Sequence, residues 1–184
     1  MPDTVSALNG KTYAGFVDIA EAGLQGMITL RGDLASAALA KAVKAAVGTK
    51  VPDQRRIVTA GGKSALWMSP DELLLLVPYA EAPGIAAQLS ESLSGEHAMA
   101  VNVSDARAMF RIRGTKASQA LQKLAPVDFA SLGDDEVRRS RIAQVAGALW
   151  KSGPQEFTLV SFRSVAGYVM GLLESSARPG SEIA

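Results

Sequence analysis

Among residue types that carry chemistry, this 184-residue chain has one histidine, His97, and no cysteine. Without a thiol there is no disulfide, no thiolate nucleophile and no sulfur-ligated metal or cluster. A single imidazole leaves almost nothing for a histidine metal site. Ser104 and Asp105 follow His97 closely enough for a Ser-His-Asp triad to be drawn, but no G-x-S-x-G turn marks a nucleophile. Gly61-Gly62-Lys63-Ser64 has the ending of a phosphate-binding loop. The full motif needs a glycine five residues before Gly62, where Ile57 stands, and a helix after it, where Ala65-Leu66-Trp67-Met68 is strand-like. The segment reads as a hairpin turn. Asp71-Glu72 and Asp134-Asp135-Glu136 read as solvated acidic turns, and no G-x-G-x-x-G fingerprint follows a strand. No catalytic, cofactor-binding or metal-ligating residue is assigned on these grounds.

What remains are residues that occur in pairs. Residues 31–41, R-G-D-L-A-S-A-A-L-A-K, return 82 residues later as R-G-T-K-A-S-Q-A-L-Q-K at 113–123. Ala65-Leu66-Trp67-x-Ser69 returns at an offset of 83 as Ala148-Leu149-Trp150-x-Ser152, as do Leu76-Val77 and Leu89-x-Glu91-Ser92. Arg31 and Arg113, each beside a helix start, suit either an anion site or an ion pair closing each half. Arg31-Gly32-Asp33 has the letters of an integrin-binding tripeptide, but its glycine, like Gly114, is better placed as a close turn. Trp67 and Trp150 take the same place in each copy. They read as core, or as interface anchors where exposed. Arg31, Arg113, Trp67 and Trp150 are therefore the candidate partner-facing residues.

A repeat of this length is larger than a solenoid unit and predicts two copies of a small lobe. In the first copy Met27–Arg31 alternates as a strand, and Asp33 caps an alanine-rich helix over about 34–47. Strands follow at 56–60, 64–68 and 73–77, then a helix opened by Pro83. The second copy repeats this order, with strands near 138–144, 147–151 and 156–160. The expected fold is α+β, with two pseudo-symmetric ferredoxin-like (split βαβ) lobes, antiparallel sheets and a strand at 98–103 bridging them. The expected division is an N-terminal arm at 1–25, lobes at 26–104 and 105–177, and a frayed tail at 178–184.

Hydrophobic residues make up 48% of the chain and charged residues 20%, ordinary values for a globular protein. The net charge of +1, with Arg138, Arg139 and Arg141 offset by the preceding acidic turn, argues against nucleic-acid binding. The first twenty residues show no secretory pattern. The longest apolar run, Leu73–Val77, is far short of the roughly 20 residues of a membrane helix. The expectation is a cytoplasmic protein without a membrane partner. A well-built core with no convergent chemistry points to a scaffold, a binding module or a subunit.

The segments M-I-T-L-R-G-D-L (27–34), A-L-W-M-S-P-D-E-L-L-L-L-V-P (65–78), R-x-x-F-R-I-R-G (107–114) and R-x-x-Q-V-A-G-A-L-W (141–150) resemble the gamma subunit of heterotetrameric sarcosine oxidase. The likeness runs from about residue 26 to 176, and W-M-S-P-D-E-x-L-L-L-V-P is its most specific part. It implies a non-catalytic structural subunit of a flavoenzyme complex that oxidatively demethylates sarcosine to glycine. It also implies alpha, beta and delta partner subunits that carry the FAD, FMN, NAD, folate and zinc, and a fold related to the folate-binding domain of glycine-cleavage aminomethyltransferases. The alternatives are a free-standing folate-binding or aminomethyltransferase-related protein, disfavoured by the 5% aromatic content, and a homodimeric scaffold.

Overall fold

Strands form where the chain alternates or runs apolar, and they assemble into two separate antiparallel sheets. The computed structural model describes residues 4–183, and the chain divides into two units. One is contiguous, Gln25–Ser104. The other is split, joining the residues through Leu24 to those from Asp105 onward.

The contiguous unit contains β3 (Gly26–Arg31), α1 (Ala37–Val47), β4 (Ile57–Ala60), β5 (Lys63–Ser69), β6 (Glu72–Val77), α2 (Ala82–Ser92) and β7 (Met99–Asn102). Its sheet order is β4-β5-β6-β3-β7. The leucine run of β6 is buried along its whole length. Leu39, Val43 and Val47 of α1 pack with Ile85 and Leu89 of α2 over Ile28, Leu30, Leu73 and Leu75. Each fully buried side chain of this kind contributes about 1.5–3 kcal/mol. The helix α1 starts later than its sequence suggests. Asp33 Oδ1 accepts from the Ala35 N–H at 2.9 Å, closing a turn of its own, and Ser36 becomes the N-cap. The hydroxyl of Ser36 accepts from the Leu39 N–H, and Gly48 in the left-handed region ends the helix. Gly61 and Gly62, both with positive φ, form a two-residue turn between Ala60 and Lys63.

The split unit contains β1 (Thr12–Ala14), β2 (Asp18–Glu21), β8 (Arg107–Arg113), α3 (Ala117–Gln122), β9 (Val137–Ile142), β10 (Val145–Gly153), β11 (Glu156–Phe162) and α4 (Ala166–Ser176). Its sheet order is β1-β2-β8-β11-β10-β9. Phe110, Ile112, Leu149 and Leu159 of the sheet pack with Ala120, Leu121, Val169 and Leu173 of the helices. Both units thus read strand, helix, three strands, helix, and β4-β5-β6-β3 is the same order as β9-β10-β11-β8.

Three local expectations change. The N-terminal segment is part of a unit rather than an arm beside it: β1 and β2 extend the six-stranded sheet and Ile19 enters its core. Strands of three and four residues are too short to show a periodicity in sequence. The strand near 98–103 is β7, an edge strand paired with β3 in its own unit. The tail is tied down: Lys123 Nζ donates to the Ser176 carbonyl at 2.7 Å and to the Ser181 carbonyl. No helix among the described residues is long and apolar enough to cross a membrane.

Candidate functional site

Arg31 ends β3 and lies across the ladder from Glu72, the first residue of β6. Its Nη2 donates to Glu72 Oε2 at 2.8 Å, and its Nη1 is 3.6 Å from Asp71 Oδ2. Arg113 ends β8 across from Glu156, the first residue of β11, and its Nε donates to Glu156 Oε2. Ser152 Oγ donates to the other oxygen of Glu156 at 3.1 Å. Both arginines therefore neutralise a carboxylate of their own unit while remaining about half exposed. Glu72, read from sequence as solvated, is the first residue of β6 and is buried. Next to Arg113, Gly114 takes a φ of 138°, and a Cβ there would come within 3.0 Å of Val17 Cγ1.

Beside the Arg31 pair lies a cleft of about 600 Å³ lined by Arg31, Asp33, Asp71, His97, Ala98 and Met99. His97 is exposed at its rim. The charged groups around it are already engaged: Arg31 with Asp71 and Glu72, Asp33 with the Ala35 N–H. A second recess of about 350 Å³ lies in the split unit at the β10–β11 turn, where Lys151 pairs with Asp134. Nearby, the Ser131 hydroxyl and the Ala130 N–H hold the exposed Asp128 carboxyl below its ordinary value of 3.8. Among the described residues, no three His, Cys, Asp or Glu side chains cluster as metal ligands would.

The two tryptophans are not counterparts. In β5, Trp67 pairs with Leu73, a member of the helix-facing core. In β10 the residue opposite Phe157, at the matching step of the ladder, is Lys151, whereas Trp150 lies opposite Thr158. The counterpart of Trp150 is therefore Leu66, opposite Leu74. A shift of one residue turns a strand side chain to the other face. Trp150 is 4% exposed and takes the core reading of the pair rather than that of an exposed anchor. Trp67 is half-buried. Arg31 and Trp67 belong to the contiguous unit, Arg113 and Trp150 to the split one, and of these only Arg31 lines the cleft.

Sequence reasoning also missed Glu21. This carboxylate is buried and accepts from the Ser6 hydroxyl at 2.7 Å, the Gly10 N–H at 2.7 Å and the Leu8 N–H at 3.4 Å. No local pattern marks it, since its donors lie 11 to 15 residues away.

Two antiparallel sheets, each carrying helices on one face, define an α+β protein. Solved structures share this fold. One is the heterotetrameric sarcosine oxidase from Corynebacterium sp. U-96 in complex with pyrrole 2-carboxylate, at 23% identity and a TM-score of 0.79, covering 90% of this chain and 87% of that one. Another is the glycine cleavage system aminomethyltransferase T from Bartonella henselae, at 12% identity and a TM-score of 0.62, covering 86% of this chain and 46% of that one. The sarcosine oxidase, gamma subunit family matches residues 31–178, and the chain belongs to that family. The sarcosine oxidase subunit gamma of Arthrobacter sp is 32% identical over 144 residues, 76% of this chain and 68% of the relative. The same subunit of Corynebacterium sp. (strain P-1) is 28% identical over 151 residues, 80% of this chain and 73% of the relative.

Proposed function

We propose that this chain is the structural gamma subunit of a four-chain sarcosine-oxidising flavoenzyme, and that it acts by assembly. The observation that carries this reading is the gamma-subunit family match across residues 31–178, spanning both units. The 32% identity to a named gamma subunit supports it over a free-standing folate-binding protein, and the aminomethyltransferase likeness is one of fold. In this reading the partners are alpha, beta and delta subunits, which hold the FAD, FMN, NAD, folate and zinc and carry out the oxidative demethylation of sarcosine in the cytoplasm.

The same reading makes the two units a duplicated ferredoxin-like lobe. Numbering the strands of the contiguous unit β3, β5, β6, β7 as one to four, the order β7-β3-β6-β5 is the four-one-three-two order of a split βαβ unit. In the split unit β2 fills the fourth place. Arg31, Arg113 and Trp67, which keep accessible surface, stand as partner-facing residues.

The test is to tag the chain, recover it from its native cell extract, and record the masses and visible spectrum of what accompanies it. Two larger chains and one small one, with flavin absorbance and sarcosine-dependent peroxide, are expected. A colourless chain recovered alone under gentle, low-salt conditions would overturn the assembly reading.

A further inference from the structure

The outer edge of β7 is where the two units differ most in what covers them. β7 and β2 hold the same place. Met99 to Asn102 run opposite Arg31 to Ile28 in the contiguous unit, as Asp18 to Glu21 run opposite Arg113 to Phe110 in the split unit. The hydrogen bonds coincide as well. The Val103 N–H donates to the Met27 carbonyl at 2.8 Å, and the Ala22 N–H donates to the Met109 carbonyl at 2.8 Å. This phase turns the backbone groups of Met99 and Val101 toward β3 and those of Ala100 and Asn102 outward. In the split unit the corresponding outward groups, on Ile19 and Glu21, are met by β1. Tyr13 pairs with Ile19, and the Glu21 N–H donates to the Lys11 carbonyl at 2.8 Å. In the contiguous unit β7 ends the sheet.

This edge strand is only four residues long and α2 reaches it through Ser90, but its own sequence carries no further protection. Its sequence is Met-Ala-Val-Asn, with no charge, proline or bulge, whereas the edge strand β9 presents Arg139 and Arg141 to solvent. Met99 and Val101 are 49% and 40% exposed. The Ser90 hydroxyl reaches the outward Ala100 carbonyl at 3.4 Å, a weak bond that a stronger donor can replace.

We infer that β7 accepts an extended strand from a partner subunit, antiparallel, in the place that β1 takes on β2. The occupant is an uncharged extended segment that donates to the Ala100 carbonyl, accepts from the Asn102 N–H and covers Met99 and Val101. The main-chain bonds give the attachment and the apolar side chains its register. The inference rests on the subunit reading above.

The test is amide hydrogen exchange on the purified complex and on the isolated chain. Exchange at Ala100 and Asn102 is expected to slow roughly ten-fold or more on assembly. Two variants accompany it. Ala100→Pro removes an outward N–H that the ladder with β3 does not use, and Val101→Lys places a charge under the incoming strand. Both are expected to lower recovery of partner chains roughly ten-fold while the isolated chain keeps its unfolding midpoint. If Ala100→Pro alone fails to fold, Val101→Lys and the wild-type exchange decide. A wild-type complex with unprotected Ala100 and Asn102 overturns the strand proposal and leaves the subunit reading standing. Absence of any complex overturns both. Protection in the isolated chain that grows with its concentration, together with a doubled mass, assigns the edge to a second copy and overturns the partner-strand proposal.

Discussion

The contiguous and split units keep the same centre and differ at their margins. In both, a strand ends in arginine, a facing strand begins with glutamate, and a two-residue turn starting with Pro70 or Pro154 sets that register. Outside this centre they part. α1 has eleven residues with a side-chain cap and a glycine stop, while α3 has six and no side-chain cap. Glu21 reaches back to hold the segment leading into β1. At the matching register Asn102 reaches forward instead, and its Oδ1 accepts from the Ser104 hydroxyl at 2.6 Å and N–H at 3.1 Å. A sheet centre must satisfy pleat, twist and packing together, and the two units share its strand order. An edge answers only to what lies beside it: β1 lies beside β2, whereas β7 ends its sheet.

The sharpest way to break the pairing of the two tryptophans is to delete both rings separately. Trp150→Ala removes a ring that is 4% exposed and is expected to cost about 3–5 kcal/mol. Trp67→Ala removes a half-buried ring and is expected to cost roughly 1–2 kcal/mol. Urea unfolding followed by circular dichroism measures both. Equal losses would return the two residues to equivalent positions and refute the register argument.

That argument also shows what was legible. The strand-helix-hairpin order was readable because the repeated letters carry the periodicities that make strands and helices, and the Gly61-Gly62 turn followed from its chemistry. The face of each tryptophan was not. Aligning Ala-Leu-Trp in both copies requires an offset of 83 residues, but the ladder pairs Arg31 with Glu72 and Arg113 with Glu156, placing Glu72 and Glu156 84 residues apart. α2 and α4 agree with the ladder: buried Ile85 and Leu89 correspond to buried Val169 and Leu173. A signal for this was present in the pair Ser69-Pro70-Asp71-Glu72 and Gly153-Pro154-Gln155-Glu156. Pleat faces alternate with every residue, so three identical letters weighed more than the turn that sets the phase. Of the candidate residues, the arginines were readable from their recurrence. Glu21 was hidden because its donors are distant in sequence, and the place of β7 at the sheet edge because it depends on the pairing order of the strands.

Removing Glu21 should undo what separates the two edges. Glu21→Ala strands the Gly10 and Leu8 N–H groups and the Ser6 hydroxyl, at an expected cost of about 1–3 kcal/mol. Exchange of the amides in 8–14 should accelerate while those of β7 stay unchanged. Unaltered exchange in 8–14 would mean that β1 is held by its ladder alone.

The helix caps test the next difference. Ser36→Ala removes the hydroxyl that accepts from Leu39 and is expected to cost about 1 kcal/mol. Ser118→Ala, one residue inside α3 at the matching repeat position, removes no cap and should stay within roughly 0.5 kcal/mol. The loss is read as an unfolding midpoint in the isolated chain.

The smallest effect lies in the feature the two units share. Double-mutant cycles to alanine on Arg31 with Glu72 and on Arg113 with Glu156 isolate the two ion pairs. Exposed pairs are worth about 0.2–1 kcal/mol, because water screens the charges and holding two long side chains costs entropy. The Arg31 pair should lie at the upper end, since the Glu72 side chain is only 9% exposed against 22% for Glu156. Asp71 adds a second carboxylate near Arg31, so Glu72→Ala leaves that guanidinium partly compensated and the single mutant understates the pair. Both couplings should shrink toward zero near 1 M salt, where the screening length falls to about 3 Å. A coupling at Glu156 as large as that at Glu72 would mean that burial does not set the difference, and that the geometry common to both junctions does.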